Sequence, residues 1–573
     1  MSKEADLNVS TEESCFANTM LPRKVKSKDR IFIALLFLIT FISAISQPIN
    51  PWPRDGWYQT QYKLFEKDPG GDNYTPIAAP ALLYKLANVL ASFISLELEG
   101  EFYLASILQN ILIFLSVCCV FYTCKAFDLK KMALISSIAL LVFILSMGLP
   151  QAFWSENIVL FLIAWGLLLS VRLRTHEGSA VSFWAFVSLI GVVIGLLVTT
   201  RVTPIFLIPG LTFFLYRGLS MRRLVGFFLI TTSITLLMVI GMMASNQYRF
   251  GRFEMTNSSG RHLWQGVKSI TDRALSGSPE YQRLKAVNPD IQNKSWWEIE
   301  IPEDVKTDRN RDKLLKKLSL EAIKNEPFLW FLSGTGKFVS TFGIEPYRLG
   351  FGPKSNHWDP LHRNTLLPPL ITVYVDTGLD VSKAVEAILK SFHKISRWLY
   401  PFSLFFIIAS FVAMGVHRID ECLNQRMQIC GIDRQAKVYG RLCRILRQPV
   451  FQFVGLCVPV IFVVAAGRSG LLDTLIVMIL CITALFILSI IFIHAISREI
   501  SAYQWVQDRL QAFLFMVLIY VGTLWFSWQI EAKNPRNVIP YLPFWAVMLA
   551  MSLSFWRYIT SSPKNISLEG QID

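Results

Sequence analysis

The first long apolar segment of this chain is followed by a short aromatic and proline-rich loop that carries a carboxylate. The loop reads Pro51-Trp52-Pro53-Arg54-Asp55-Gly56-Trp57-Tyr58. It places Asp55 where a membrane-spanning helix emerges into water, next to any molecule whose apolar part lies in the bilayer. Partial burial raises the pKa of a carboxyl group and fits it to act as a general base on a hydroxyl group. Asp55 is therefore a candidate catalytic residue, with a plain loop end beside Arg54 as the structural alternative.

Three further charged residues lie on the same predicted side of the membrane. Glu156 follows Ser155 at the start of an apolar segment, where it can act in catalysis or simply cap a helix. Arg201 and Arg536 lie in short loops on the outer side of the membrane, where the positive-inside rule makes basic residues less common. A guanidinium group binds phosphate oxygens through two parallel hydrogen bonds, so both arginines are candidates for holding a phosphate.

The composition identifies an integral membrane protein. Of 573 residues, 53% are hydrophobic and 17% are charged. Continuous apolar runs of about 20 residues recur, which is the length that crosses a bilayer as a helix and excludes the alternating pattern of a β-barrel. The formal net charge of +15 does not indicate nucleic-acid binding, because the basic residues lie mostly in short loops between the runs.

The pattern predicts an all-α polytopic membrane protein with about 12 transmembrane helices. If the first tail is cytoplasmic, every inside loop contains lysine or arginine, so both termini are cytoplasmic. The run at 203–216 is short for a span and has a re-entrant loop as its alternative. The predicted spans are 30–48, 102–123, 132–150, 156–172, 182–200, 203–216, 224–245, 397–416, 449–467, 473–494, 510–529 and 537–556.

These spans divide the chain into four segments. A cytoplasmic tail at 1–29 is followed by a membrane module at 30–245, which has its first outside loop at 49–101. A mixed extracytoplasmic segment at 246–396 lies between the seventh and eighth spans, and a C-terminal membrane module covers 397–573. The last module has a basic cytoplasmic loop at 417–448 that fits a solvated helix beside anionic lipids.

Both long outside segments contain helical patterns. In the first, Leu82, Leu83, Leu86 and Leu90 recur at helical spacing, as in a helix lying in the membrane interface. In the second, 312–325 predicts an amphipathic helix that ends before Pro327 and has an apolar face made of Leu314, Leu315, Leu318, Ala322 and Ile323. The run Phe328-Leu329-Trp330-Phe331-Leu332 indicates that part of this segment lies at the membrane surface.

Several kinds of site have no sequence support. There is no phosphate-binding glycine loop of the Walker type and no dinucleotide-binding pattern, so ATP-driven transport by this chain alone is not expected. None of the nine cysteines falls in a predicted outside loop, and none has the spacing of a zinc site. The expectation is therefore no bound cofactor and no metal ligand set, with participation of a divalent cation left open.

In order and sidedness, the motifs resemble those of the GT-C class, the multi-pass glycosyltransferases that use polyprenyl-phosphate sugars. An acidic residue and a tyrosine follow the first span, here Asp55 and Tyr58. The further motifs are a proline-rich turn with Tyr84, an outside turn with Glu156, a glycine-rich span ending in Arg201, and a late loop Asn534-Pro535-Arg536-Asn537-Val538-Ile539-Pro540-Tyr541-Leu542-Pro543.

The resemblance implies transfer of a sugar from a polyprenyl-phosphate donor to a lipid, glycan or protein acceptor on the extracytoplasmic face, with membrane lipids and no nucleic acid as further partners. It implies Asp55 and Glu156 as catalytic residues, Arg201 and Arg536 as phosphate ligands, and Tyr58 and Tyr84 as substrate contacts. The pair Arg261-His262 in the large outside segment is a further candidate for substrate contacts.

The alternatives are a transporter or flippase of a lipid-linked saccharide and a glycan polymerase or ligase. The expected location is a bacterial inner membrane with the site facing the periplasm or exterior. Endoplasmic reticulum is the alternative, in which case the sequons Asn73-Tyr74-Thr75 and Asn257-Ser258-Ser259 face the lumen.

If the four charged candidates form one site, they must lie close together in the folded protein. Asp55, Glu156, Arg201 and Arg536 come from four separate loops, yet base, acceptor and donor phosphate must meet within a few ångströms. We therefore expect them around one cavity, with the 246–396 segment above it as a cover.

Overall fold

The computed structural model describes the helical parts of the chain that position these residues. The described ranges are 27–46, 100–146, 155–174, 178–201, 203–216, 219–250, 253–255, 259–292, 299–302, 308–339, 512–520 and 539–560, with single positions at 294 and 522, between 83 and 92, and between 403 and 410. Within these ranges the regular structure is helical and no strand occurs, including in the described part of the predicted mixed segment.

Thirteen helices are labelled here in chain order. They are α1 Ser27–Ser46, α2 Gly100–Ala126, α3 Lys130–Ser146, α4 Ser155–Arg174, α5 Ala180–Thr200, α6 Leu207–Leu215, α7 Met221–Phe250, α8 Ser259–Val267, α9 Thr271–Ala274, α10 Pro279–Val287, α11 Asp308–Asn325, α12 Pro327–Val339 and α13 Leu542–Thr560. Short 3-10 helices lie at Thr203–Phe206, Lys268–Ile270 and Ile539–Tyr541.

Apolar helices long enough to cross a membrane are consistent with the membrane class. Four qualify by length and composition, at Ile107–Ala126, Ser155–Arg174, Ala180–Thr200 and Met221–Tyr248. Each agrees with a predicted span, and helices also occur at the predicted spans 30–48, 132–150 and 537–556. The spans predicted at 449–467 and 473–494 lie outside the described residues, so the total of about 12 stays a prediction.

One apolar core joins α1 to α7 with α13. The α2 helix packs against α1, α3 and α4, and α4 in turn packs against α5. The C-terminal helix α13 packs against α3, α2 and α4, which returns the end of the chain to its beginning. In the first outside loop, Ala87 is buried and Leu83 packs against this core, while Leu86 is 48% exposed. The helical spacing is thus confirmed there, but the apolar residues are divided between two faces.

Two glycines on α5 allow the close approach of α7. A Cβ atom at Gly191 would lie 3.3 Å from the Cα atom of Thr231 and 3.2 Å from the Cβ atom of Ile234. Gly195, one turn later, faces Met238. This spacing of small residues brings backbones together where lipid supplies no hydrophobic force between helices. The crossing of α5 and α7 therefore depends on the missing side chains.

The side chains at the ends of these helices show which ends lie together. Lys125 at the end of α2 forms an ion pair with Asp29 at the start of α1. The Arg174 guanidinium lies 5.1 Å from the ring of Phe214, and that of Arg223 lies 5.0 Å from the ring of Phe183. Residues assigned to inside loops thus collect at one end of the bundle, which we call the basic end.

The short run at 203–216 connects the two ends of the bundle. It starts beside Arg201, at the end opposite Arg174, and Phe214 lies on Arg174 at the basic end. One extended residue, the four residues of the 3-10 helix and the nine residues of α6 cover about 25 Å, close to the about 27 Å of α4 between Glu156 and Arg174. The run therefore goes from one end to the other and does not turn back as a re-entrant loop would.

A second helical body with its own core follows α7. Its core contains Trp264, Tyr281, Leu315, Leu318 and Ala322, all fully buried. The predicted amphipathic helix is confirmed as α11, which ends at Asn325 just before α12 begins at Pro327. A Cβ atom at Gly260 would lie 2.0 Å from the carbonyl oxygen of Asp312, so α8 packs directly on the backbone of α11.

Asn288 holds the chain that follows α10. Its Nδ2 donates to the carbonyl oxygens of Leu284 at 3.0 Å and Glu300 at 2.7 Å. Its Oδ1 accepts from the backbone N–H of Glu300 at 2.8 Å and from Nζ of Lys294 at 3.1 Å. One fully buried amide therefore ties residue 300 to the end of α10.

Substitution of Gly191 tests the helix crossing. We expect Gly191→Leu to reduce the free energy of unfolding by about 1–3 kcal/mol, because the added side chain must push α7 away. Thermal unfolding of the detergent-solubilised protein measures the change. Gly241→Leu is the matched control, since a Cβ atom at Gly241 meets nothing within 4 Å. Equal midpoints for the two variants would contradict the proposed close packing.

Substitution of Asn288 tests the polar link in the second body. We expect Asn288→Ala to lower local stability by about 2 kcal/mol, because hydrogen bonds to backbone groups are lost without replacement. Hydrogen–deuterium exchange should then become faster at the amide of Glu300. The control is Gln282→Ala, whose side chain makes an exposed hydrogen bond to the Ser276 carbonyl. Unchanged exchange at residue 300 would show that the amide does not hold this segment.

Candidate functional site

The structure describes four of the eight predicted site residues. Glu156 and Arg201 belong to the bundle, and Arg261 and His262 belong to α8 in the second body. The other four lie outside the described residues, so their places in a shared cavity stay predictions: Asp55, Tyr58, Tyr84 and Arg536.

Glu156 and Arg201 form an ion pair at the end of the bundle opposite the basic end. One Arg201 Nη atom lies 2.5 Å from Oε1 of Glu156, although the residues are 45 positions apart. Glu156 lies in the first turn of α4. Arg201 ends α5 with extended backbone, φ −148° and ψ 136°, and its N–H donates to the Leu197 carbonyl. The break in the helix at Arg201 directs the side chain toward the start of α4.

The pair is largely removed from water. The side chain of Glu156 is 1% exposed and that of Arg201 is 19% exposed. A buried carboxylate is costly unless it is paired, and its position at the start of a helix adds favourable interaction with the helix dipole. Because Arg201 keeps a partly exposed side chain, the pair lies at the boundary of the bundle and not in its middle.

Buried amide groups lie next to this pair. The Asn157 Nδ2 atom donates to Oε1 of Gln109, which joins the first turn of α4 to α2. Gln109 and Asn110 are 2% and 3% exposed, and Ser155 donates to the second oxygen of Glu156 at 3.3 Å. Sequence reasoning did not single out Gln109 or Asn110. The available signal was two consecutive amides within a predicted span, where polar residues are rare and often functional.

The late predicted motif leads into the same end of the bundle. The 3-10 helix Ile539–Tyr541 packs against α4. The Trp545 ring at the start of α13 lies 5.7 Å from that of Phe143, near the end of α3 where the chain leads toward α4. Ile539 comes three residues after Arg536 in the sequence, and Arg536 itself lies outside the described residues.

Arg261 and His262 occupy a different setting. Arg261 is 4% exposed, and its backbone N–H donates to Oδ1 of Asp312 at 3.0 Å. Burial raises the pKa of Asp312, and the backbone N–H groups of Arg261 and Gly260 partly offset that effect. This gives Arg261 a structural part in joining α8 to α11. His262 is exposed, and the substrate contacts predicted for both stay predictions.

The ion pair can hold an anion in a fixed place. A guanidinium group has five N–H donors, and one carboxylate accepts at most two of them in a bidentate contact. The contact with Glu156 fixes the position of the Arg201 guanidinium, and a guanidinium is the side-chain group best matched to phosphate oxygens. Among the described residues no group of three or more histidine, cysteine, aspartate or glutamate side chains is placed to hold a metal ion.

A double-mutant cycle tests how tightly the pair is coupled. We expect Arg201→Gln to reduce the free energy of unfolding by about 3–5 kcal/mol, because it leaves a buried carboxylate without its cation. Glu156→Gln should cost less, since Arg201 is partly exposed. The double variant should be more stable than the sum of the two losses implies, and thermal unfolding in detergent measures all four proteins. Additive losses would show that the two side chains act independently.

The comparisons with known proteins leave the family open. No protein-family model matches the chain, and neither a curated protein nor a solved structure matches it.

Proposed function

We propose that this protein is a membrane glycosyltransferase that moves a sugar from a polyprenyl-phosphate donor to a lipid, glycan or protein acceptor. The observation that carries the proposal is the buried Glu156–Arg201 ion pair at one end of an apolar helical bundle. It lies at the end opposite the lysines and arginines of the basic end. By the positive-inside rule that end faces away from the cytoplasm, and in a bacterium it would face the periplasm or exterior.

The chemistry requires little beyond charge and position. In the proposed step, a base takes the proton of the acceptor hydroxyl, and the oxygen forms a bond to the anomeric carbon of the donor sugar. The bond between that carbon and the phosphate oxygen breaks, and the phosphate leaves with the electron pair. Arg201 stabilises the negative charge that develops on the phosphate, with Arg536 as a second proposed ligand. Asp55 remains the proposed base, and the carbon inverts.

The ion pair changes the part that we assign to Glu156. The sequence predicts a catalytic carboxylate, whereas this carboxylate accepts a hydrogen bond from Arg201 and is almost fully buried. A group so placed is better suited to orient the guanidinium than to reach an acceptor hydroxyl. We therefore assign Glu156 as a positioning residue for Arg201, with Asp55 as the base.

A carrier for a lipid-linked saccharide is the second candidate. Intramembrane ion pairs also mark substrate pathways in transporters, so the same pair favours this function as well. The two functions differ in what they need: an enzyme turns over in detergent, and a carrier requires a sealed compartment. Product length would separate a single-sugar transferase from a polymerase.

Replacement of Arg201 tests phosphate binding. We expect Arg201→Gln to lower sugar transfer about 10²–10³-fold, the usual loss when one donor to a developing charge is removed. Transfer from a set of polyprenyl-phosphate sugars to extracted membrane lipids and glycans, assayed in detergent, measures it. The double variant E156Q/R201Q separates fold from function, because it should be inactive even where its thermal stability is restored.

Arg222→Gln is the matched control for that assay. Arg222 is an exposed arginine at the start of α7, at the basic end, so its loss should leave transfer unchanged. Full activity of R201Q or of the double variant would overturn the assignment of the site. Absence of transfer by the unaltered protein, together with movement of the same donors across sealed vesicles, would favour the carrier.

Replacement of Asp55 tests the base separately. We expect Asp55→Asn to reduce transfer by about 10²–10⁴-fold while expression stays normal, because the amide cannot accept the proton. The loss should appear mainly in kcat, since an isosteric amide keeps the shape of the loop. Normal activity of this variant would remove Asp55 from the site while leaving the role of Arg201 intact.

A further inference from the structure

We propose that the outer face of α12, formed by Phe328 and Phe331, lies among the lipid headgroups of the bilayer that the protein's own helices cross. The proposal concerns the second helical body and is independent of the proposed function. It combines three observations: an exposed aromatic face, a short tether to a membrane helix, and a basic surface.

The aromatic face is held outward by contacts on the opposite side of the helix. Phe328 is 67% exposed and Phe331 is 46% exposed. They are three residues apart and so lie on one side of α12. Leu329 and Trp330 pack against the core of the second body, and Ser333 is hydrogen-bonded to Ser269 at 2.8 Å. The helix therefore cannot rotate to bury both phenylalanines without losing these contacts.

The tether places the second body directly at the membrane end of α7. The apolar stretch of α7 reaches Tyr248. Within that stretch, Asn246 donates to the carbonyl oxygens of Glu254 at 2.8 Å and Met255 at 3.3 Å, so the chain turns back onto the helix. The second body begins at Ser259, four residues after Met255, and four residues span at most about 14 Å.

The size of the body makes contact with the surface feasible for any of its faces. A compact unit of about 80 residues has a radius of gyration of about 12 Å. Held within about 14 Å of the end of α7, it cannot leave the vicinity of the headgroups. The face that meets the bilayer is then selected by chemistry, and exposed aromatic rings prefer the interface between water and hydrocarbon.

The charge of the second body favours a lipid surface. Residues 259–339 contain fourteen lysines and arginines against eleven aspartates and glutamates. Near the start of α12, Lys324 is exposed and the Arg273 side chain, 72% exposed, donates to Glu326. Basic side chains beside exposed aromatic rings are the usual composition of a segment that lies on anionic lipid.

A protein partner fits the same face less well. Two phenylalanine side chains offer at most about 500 Å², below the about 800 Å² per partner of a stable protein interface. A bilayer needs no matched area, because each ring gains independently from entering the interface. The occupant that we infer is therefore lipid.

Site-specific photo-crosslinking tests this inference with the full-length protein. A photoreactive phenylalanine analogue is placed at position 328 or 331, and the protein is reconstituted in nanodiscs of phosphatidylcholine with phosphatidylglycerol. Val287 is the matched control, since it is an isolated exposed apolar residue, 41% exposed, of the same body. Mass spectrometry then identifies the adducts after illumination.

We expect lipid adducts at 328 and 331, at several times the yield at 287. The yield should fall several-fold in nanodiscs of phosphatidylcholine alone, because the basic surface loses its attraction. Adducts with peptides of this chain would show that another segment covers the face and would overturn the proposal. Absence of adducts, or equal lipid adducts at 287, would overturn it as well. Equal yields of lipid adducts with and without phosphatidylglycerol would contradict the proposed contribution of the basic surface.

Discussion

The carboxylate of Glu156 depends on its contact with the guanidinium of Arg201, because the apolar bundle around this buried carboxylate offers it no water in place of its partner. This one contact fixes the start of α4 against the end of α5. Arg201 reaches Glu156 only because its own backbone is extended, and that extension lets the next thirteen residues cross to the basic end through a 3-10 turn and a short helix. The ion pair and the path toward α6 thus both start from Arg201.

The two halves of the described chain are stabilised in different ways, because they meet different solvents. Between α5 and α7 the contact relies on Gly191 and Gly195, where missing side chains let the backbones approach. The second body relies instead on removing apolar side chains from water, as α11 does with Leu315 and Leu318. Two of its backbone N–H groups, those of Glu300 and Arg261, donate to Asn288 and to the Asp312 carboxylate. The bundle is therefore stabilised by close packing of helices, and the second body is stabilised by the hydrophobic effect.

Hydropathy predicts the described helices of the apolar bundle well because the signal is local. Twenty apolar residues in a row must form a helix in lipid, so α2, α4, α5 and α7 occur where the pattern places them. The sequence also allows Glu156 and Arg201 to be picked out as site residues. Both are charged and lie on the outer side of the membrane, where topology does not require charged residues.

The sequence does not predict which residues those side chains contact. Nothing local joins positions 156 and 201, or Gln109 and Asn157, since each contact depends on how separate helices pack. The same reason explains Leu86, which helical spacing grouped with Leu83 although the core takes only one of them. A hydropathy pattern shows which residues avoid water, but in lipid an apolar side chain can face either a neighbouring helix or the bilayer. Only the packing decides between the two.

The existence of the ion pair is itself an argument about function. A buried pair usually contributes little net stability, and apolar residues of similar volume can replace one without loss. A leucine and a methionine at positions 156 and 201 would join α4 to α5 at least as well. What apolar residues cannot supply is a fixed cation at the edge of an apolar bundle. The contact with Glu156 orients the Arg201 guanidinium before any ligand arrives, so the side chain loses little freedom when one binds. A preorganised donor of this kind is what a departing phosphate requires.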